Sequence, residues 1–382
     1  VFLAIVPPLL TPERNFSRWI DIALTFLVVS CPCALVISVP LSFFAGIGAS
    51  SRLGILVKGS NYLEALAETK KAVFDKTGTL TKGVFSVVEV ISEGMEEKEI
   101  LRLAMLAEQH SGHPIALSVK DAYKQRYETY TDYDKHRIEN LKQIPGRGIS
   151  ISIDEREVLL GNSGLMEEFN IEYKSHAHEA TLLYMAVDLK YVACIVISDI
   201  IKDDAKQAIN ELKSMGISDI IMLTGDRKEV AEAVSGELGI SEVYSSLLPG
   251  DKLAKVEELL EKDNNPKHKL VFVGDGINDA PVLARADIGI AMGGLGSDAA
   301  IEAADVVIMN DEPSKIAMAI RLAKRTLGIA TQNIIFALLV KVVVLTFTAF
   351  GMVNMWAAVF ADVGVTLLAI ANAMRNLNIK KV

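Results

Sequence analysis

From Arg18 to Arg52 the chain carries one charged residue between its ends, Asp21, and from Arg325 to Arg375 only Lys341 and Asp362. Charge-free runs of this length are membrane-grade, because a helical span needs about 20 predominantly apolar residues. The run 19–47 exceeds that need, and the excess predicts a broken or tilted helix. Residues 332–350 and 355–375 predict two further spans, joined by a turn at 351–354. The first ten residues, VFLAIVPPLL, read as the end of another span, since no basic stretch precedes them as in a signal peptide. The chain is therefore expected to be a piece of a longer protein.

Charge is concentrated between the apolar runs. The net charge of −9 falls mostly there and excludes a broad basic nucleic-acid surface, so no nucleic-acid partner is expected. The three cysteines, Cys31, Cys33 and Cys194, exclude a disulfide framework. Basic residues flank the spans: Arg52 and Lys58, then Arg321, Lys324 and Arg325, then Lys380 and Lys381. Positive residues stay on the cytoplasmic side, so the charged middle is expected in the cytoplasm.

That middle alternates strand and helix. Short apolar runs at 72–74, 219–223 and 270–273 each end at an acidic motif: Asp75, then Thr224-Gly225-Asp226, then Gly274-Asp275. Helical patterns at 227–238 and 281–285 follow the last two. Such alternation predicts a parallel doubly wound sheet, whose chemistry sits at the carboxyl ends of strands. Between 86 and 197 the pattern becomes a helical stretch at 96–127 and then short alternating runs, an α+β insertion. The expected organisation is a span end at 1–10, a span at 17–50, and a linker with the first part of the sheet domain at 51–85. The insertion at 86–197 follows, then the second part of the sheet domain at 198–325. Spans at 330–350 and 354–374 and a tail at 375–382 complete it.

Three motifs carry chemistry. In DKTGTLT, Asp75 to Thr81, a strand-end carboxylate can attack phosphorus while the following loop offers backbone N–H groups to phosphate. In GDGINDAP, Asp275 and Asp279 make a hard oxygen site suited to Mg²⁺. Lys252 can neutralise phosphoryl charge. In the first span, CPC places Cys31 and Cys33 around Pro32, which kinks a helix. An unwound turn lets both thiols face one cavity and ligate a soft cation. Lys341 and Asp362 lie mid-span, where buried charge is costly and usually paired or functional.

These motifs resemble the P-type ATPases, and CPC with Lys341 and Asp362 resembles their heavy-metal branch that exports zinc, cadmium or lead. The resemblance covers nearly the whole chain. It implies a multi-domain membrane protein: transmembrane α-helices plus a haloacid-dehalogenase-like α/β phosphorylation domain with an inserted α+β nucleotide-binding domain. It implies Asp75 as the phosphorylated residue, Thr224 and Lys252 at the phosphoryl group, and Thr77, Asp226, Asp275 and Asp279 at nucleotide and Mg²⁺. Glu108, His113, Gly146, Gly148 and Asn162 resemble the ATP adenine site. Two positions depart from the family pattern, Gly112 before His113 and Ile151 in place of a third glycine. Cys31, Cys33 and Asp362 would bind the transported Zn²⁺, Cd²⁺ or Pb²⁺, with Lys341 as counter-charge. The expected partners are the lipid bilayer, the metal, and an actuator domain and further spans outside this chain. Copper transport, a non-pumping nucleotide-binding membrane protein and a tethered phosphatase are the competing readings.

Overall fold

The structure is a computed structural model that describes residues 2–10, 15–109, 111–127, 138–175, 180–263, 265–275, 279–293 and 298–378. Lys380, Lys381 and the middle of the GDGINDAP motif lie outside the described residues. In chain order, α1 (Phe2–Leu10), α2 (Phe16–Val29), α3 (Cys33–Arg52), β1 (Ile55–Val57), α4 (Ser60–Ala67) and β2 (Thr69–Asp75) come first. Next are β3 (Thr81–Ser92), α5 (Glu97–Ala107), α6 (Pro114–Tyr127), β4 (Ile138–Ile144), β5 (Gly148–Ile153), β6 (Arg156–Gly161), α7 (Ser163–Glu168), β7 (Thr181–Val187) and β8 (Lys190–Ile201). Then follow α8 (Ala205–Ser214), β9 (Asp219–Leu223), α9 (Lys228–Leu238), β10 (Glu242–Tyr244), α10 (Pro249–Glu261) and β11 (Lys269–Gly274). The chain closes with α11 (Ala280–Arg285), β12 (Ile288–Met292), α12 (Asp298–Ala303), β13 (Val306–Ile308), α13 (Ser314–Ala349) and α14 (Met355–Ala373).

The chain divides into two compact units. The first contains Val1–Ala72, Asn210–Asp219 and Lys255–Val382. Its sheet runs β1-β13-β12-β11-β2, with β1 antiparallel to β13 and with β11, β12 and β13 parallel. Parallel strands covered on both faces read as continuous apolar runs, and β12 (IGIAM) and β13 (VVI) are buried at every position.

Three helical segments of this unit are long and apolar enough to cross a membrane: Phe16–Arg52, Ser314–Ala349 and Met355–Leu377. The first is interrupted between α2 and α3 at Ser30, Cys31 and Pro32, in agreement with the expected break. The face of α3 that packs inward is built from small residues, Ala34, Ser38, Ser42, Ala45, Gly46 and Ala49. Small residues let helix backbones approach closely where lipid offers no hydrophobic drive. At Gly46 the approach is close enough that a Cβ would lie 2.6 Å from Thr326 Oγ1. The second span differs from its expected bounds. It is the far end of a 36-residue helix, so Arg321, Lys324 and Arg325 ride on the same helix as Lys341. The charges that marked a boundary in the sequence are instead anchored laterally: Arg321 pairs with Glu211 at 2.8 Å and Lys324 donates to the Met215 carbonyl at 3.1 Å.

The second unit contains Val73–Ile209 and Ile220–Ala254. Here β9 lies between the end of β2 and β10, with β9 and β10 parallel. A six-stranded antiparallel sheet of order β3-β8-β7-β6-β5-β4 makes up the rest. Successive strand residues point to opposite faces, and this sets two cores. Leu160, Met185 and Ile195 face α5 and α6, packing with Leu103, Leu106 and Val119. Their neighbours Leu159, Tyr184 and Cys194 face the other way, against Leu165 and Met166 of α7.

Candidate phosphorylation and metal sites

β2 delivers Asp75 at its carboxyl end, where the carboxylate is 5% exposed. Lys252, on the first turns of α10, reaches it with Nζ 2.5 Å from Oδ1. The chain then turns sharply over 76–80, with Gly78 at φ +73°, a conformation glycine adopts without strain. Thr77 is extended at this turn. β9 ends at Thr224, which is 2% exposed, and its Oγ1 accepts the backbone N–H of Asp226 at 3.1 Å. Asp75, Thr77, Thr224, Asp226 and Lys252 thus all sit at strand ends or in the segments just beyond them within the second unit.

The structure adds residues that the sequence reading passed over. Lys76, buried beside Asp75, pairs with Asp226 Oδ2 at 2.6 Å and lies 3.7 Å from Asp199 Oδ2. Thr81 donates to the Lys76 carbonyl at 3.0 Å and also contacts Asp199. Lys202 donates to the Gly78 carbonyl at 2.6 Å and so fixes the turn. The available signal was the string SDIIKDD at 198–204, which places charge directly after an apolar strand.

A cleft of about 1160 Å³ opens beside these groups, lined at one end by Lys76, Asp199 and Asp226 and at the other by Glu108, His113 and Asn162. Gly146 and Gly148 also line it. At Gly148 φ is +146° and an added Cβ would meet the Leu160 carbonyl at 2.3 Å, so only glycine lets β5 and β6 approach here. Asn162 caps α7 by accepting from Leu165 N–H at 3.3 Å and ties the Gly146 carbonyl at 2.9 Å. His113 Nδ1 accepts from Ile115 N–H at 3.3 Å, which orients the ring. The cleft joins a charged end to a polar, glycine-walled end, and its size is slightly above that of typical small-molecule sites.

In the first unit, Asp275 follows β11 and Asp279 caps α11, 2% exposed. A Cβ at Gly274 would fall 2.8 Å from Asp279 Oδ2, so the glycine keeps this carboxylate's place clear. Two carboxylates of this kind are hard oxygen donors, and they fit Mg²⁺.

The same unit holds the thiols. At the α2–α3 break, Cys31 and Cys33 bring their Sγ atoms within 2.6 Å. Pro32 donates nothing, yet its carbonyl starts α3 by accepting from Leu35 and Val36 at 3.0 and 3.1 Å. The freed Cys31 carbonyl accepts from Lys341 Nζ. Asp362 lies near the Cys33 thiol. A small cavity lies beside Pro32, Ala34, Lys341 and Asp362. The four residues singled out in the sequence therefore meet at one level of the bundle.

Residues 69–287 match the haloacid dehalogenase-like hydrolase family. The chain belongs to that family. Across its length it is also similar to larger transport proteins. It is 56% identical over 381 residues to a cadmium, zinc and cobalt-transporting ATPase of Bacillus subtilis, matching 100% of this chain and 53% of the relative. It is 49% identical to a zinc-transporting ATPase of Synechocystis, over 98% of this chain and 51% of the relative. The crystal structure of a zinc-transporting PIB-type ATPase in the E2.Pi state aligns with TM-score 0.87 at 35% identity, covering 99% of this chain and 61% of that one. The chain spans about half the length of the curated relatives it matches. The fold expected from the sequence, transmembrane helices joined to a haloacid-dehalogenase-like α/β domain, is the fold observed.

Proposed function

We propose that this chain is the metal-binding and phosphorylated part of an ATP-driven exporter of a soft divalent cation, Zn²⁺, Cd²⁺ or Pb²⁺. The observation that carries the proposal is the level at which Cys31, Cys33, Lys341 and Asp362 meet in a helix bundle, on a chain that also holds the buried Asp75–Lys252 pair. Relatives named as cadmium, zinc and cobalt-transporting and zinc-transporting ATPases support it.

ATP occupies the cleft, its base near His113 and Glu108 and its phosphates toward Lys76. An Asp75 oxygen attacks the γ-phosphorus; the new O–P bond forms as the bond to the β,γ-bridging oxygen breaks, and ADP leaves. Lys252 holds the carboxylate in place and offsets charge on the transferring group, with Thr224 beside it. Asp275 and Asp279 would hold Mg²⁺, which would supply charge neutralisation on the phosphates when bound. Splitting hydrolysis into two steps stores energy in the aspartyl phosphate. Water attack on that phosphate and the remaining spans are assigned to the part of the relatives' length that this chain does not cover.

Two thiols and a carboxylate suit a borderline-soft divalent ion, and Lys341 can replace its charge after release. A monovalent copper ion, softer than these, is served by sulfur ligands and has less use for the hard carboxylate of Asp362. The deciding experiment is ATPase activity of the full-length protein against a metal panel, with acid-stable phosphoenzyme measured in parallel. Stimulation by Zn²⁺, Cd²⁺ or Pb²⁺ is expected; stimulation by Cu⁺ alone, or absence of phosphoenzyme, overturns the reading.

A further inference from the structure

On the sheet side of the metal level lies a second polar layer that none of the chemistry above uses. Asn333 of α13, 1% exposed, donates to the Ala369 carbonyl of α14 at 3.0 Å and lies 3.5 Å from Ser42 Oγ of α3. Its own Oδ1 accepts from Asn372 of α14 at 2.9 Å. Asn376 donates to the Ser42 carbonyl at 3.1 Å, and Arg375 holds Asn372 at 2.7 Å. One asparagine therefore links all three helices. By helical rise, Asn333 lies about 12 Å from Lys341, Ser42 about 14 Å from Cys33, and Ala369 about 10 Å from Asp362. All three displacements run toward the soluble sheet, so the asparagine layer is level and lies between the thiols and the cytoplasm.

Between the two layers Ala34, Ala337 and Val365, with Leu35 and Val340, form an apolar collar that also walls the small cavity at Lys341 and Asp362. A hydrated cation cannot cross such a collar without the helices parting. On its sheet side are buried oxygens with no partner among the described residues: Ser38 Oγ, one turn from Ser42, and Asn376 Oδ1, further toward the sheet. Buried polar atoms are normally satisfied, so two orphan oxygens on the sheet side of the collar stand ready for something that passes.

We propose that the Ser42–Asn333–Asn372–Asn376 layer is a latch that closes the cytoplasmic route to the metal site, with Ser38 Oγ and Asn376 Oδ1 as oxygen contacts for the entering cation. The latch rests on the export reading for its purpose, but its geometry does not depend on which ion moves. Membrane hydrogen bonds are individually weak, averaging about 0.6 kcal/mol. Losing the two strong ones made by Asn333 should shift the closed–open balance roughly five- to tenfold.

The test uses the full-length protein in nanodiscs and two variants, Asn333→Leu and the milder Asn372→Leu, which cut the shared bond from either side. The first readout is the rate at which a small cationic methanethiosulfonate modifies the CPC thiols, with Cys194 replaced. Asn333→Leu is expected to raise that rate about five- to tenfold and Asn372→Leu, which cuts one of the two bonds, about threefold, with the double variant adding nothing beyond Asn333→Leu. The second readout is the Zn²⁺ concentration that half-activates ATP hydrolysis, expected to fall by a similar factor. A general loss of structure would lower activity without lowering the half-activating concentration. Thiol modification at the wild-type rate in both variants overturns the latch. A wild-type protein that ignores zinc but shows the faster labelling in its variants would overturn the export reading and leave the latch standing.

Discussion

Asp75 and Lys252 are both nearly buried and 2.5 Å apart. Desolvating two charges costs several kcal/mol, and a hydrophobic pair of equal volume is often as stable. The pair is therefore explained by chemistry better than by stability. Asp75→Asn keeps the shape and removes the proposed nucleophile, so acid-stable phosphoenzyme should fall to background, and loss of the counter-charge to Lys252 should cost up to about 3–5 kcal/mol of stability. Lys252→Ala should slow phosphorylation by roughly 100- to 1,000-fold, the usual effect of removing one stabilising donor from a reacting centre; rapid-quench measurement with labelled ATP checks both. Cys194 shows the opposite design. Burial in β8 pushes its thiol up from 9.0 to about 12, so the fold holds it neutral. This raised value favours the folded state below pH 9 and is lost as pH climbs from 9.0 toward about 12. At pH 8, maleimide should leave Cys194 untouched until the protein is unfolded, as mass spectrometry of labelled peptides would show; labelling at the rate of a free thiol would contradict its burial.

At the scale of elements, the glycine pair across β5 and β6 is the most demanding feature. Gly148 and Gly161 face each other, and an added Cβ at Gly161 would meet the Arg147 carbonyl at 2.1 Å. Gly148→Ala should cost about 1–3 kcal/mol from its backbone conformation and this crowding, and should weaken ATP binding with it; a thermal shift with and without nucleotide measures the two together. Asn162→Ala should cost about 1 kcal/mol as a lost helix cap. Sequence made some of these elements plain. β9 spans the very run, 219–223, that apolar periodicity marked, because a strand flanked by Ser218 and Gly225 has no other reading. β1 and β13 were not legible, since three residues carry no period and each strand exists only through its partner. The Lys76–Asp226 and Lys76–Asp199 pairs were hidden for a different reason. Their members lie far apart in sequence, and only the sheet edge brings them together. The thiol motif and the two mid-span charges were visible individually; the Lys341 contact to the Cys31 carbonyl was not, because it depends on a backbone group that the proline break sets free.

For the whole molecule, the covalent path between the sheet and the thiols is short. α3 leaves the thiols, runs to Arg52, turns at Gly54 and enters the sheet directly as β1, paired to β13. β13 in turn leads into α13, whose single uninterrupted helix carries Lys341 about 40 Å from Ser314. Lys58 Nζ locks this corner by donating to the carbonyls of Ile301 and Glu302, at 2.9 and 2.8 Å, at the end of α12. Two continuous elements thus connect one sheet edge to the thiols and to Lys341, and under the proposed function they are the path by which a shift of that edge would reach both. A flexible insertion should break this relay without touching either site. Adding two glycines after Gly54 in the full-length protein is expected to leave zinc binding and nucleotide binding within about twofold of wild type, yet to abolish the mutual effect of one on the other. Coupling between binding sites is reciprocal, so titrating zinc with and without a nucleotide analogue, and the analogue with and without zinc, must give the same factor in the unmodified protein and a factor near one after insertion. If the coupling survives two added glycines, force does not travel through the α3–β1 corner, and α13 alone must carry it.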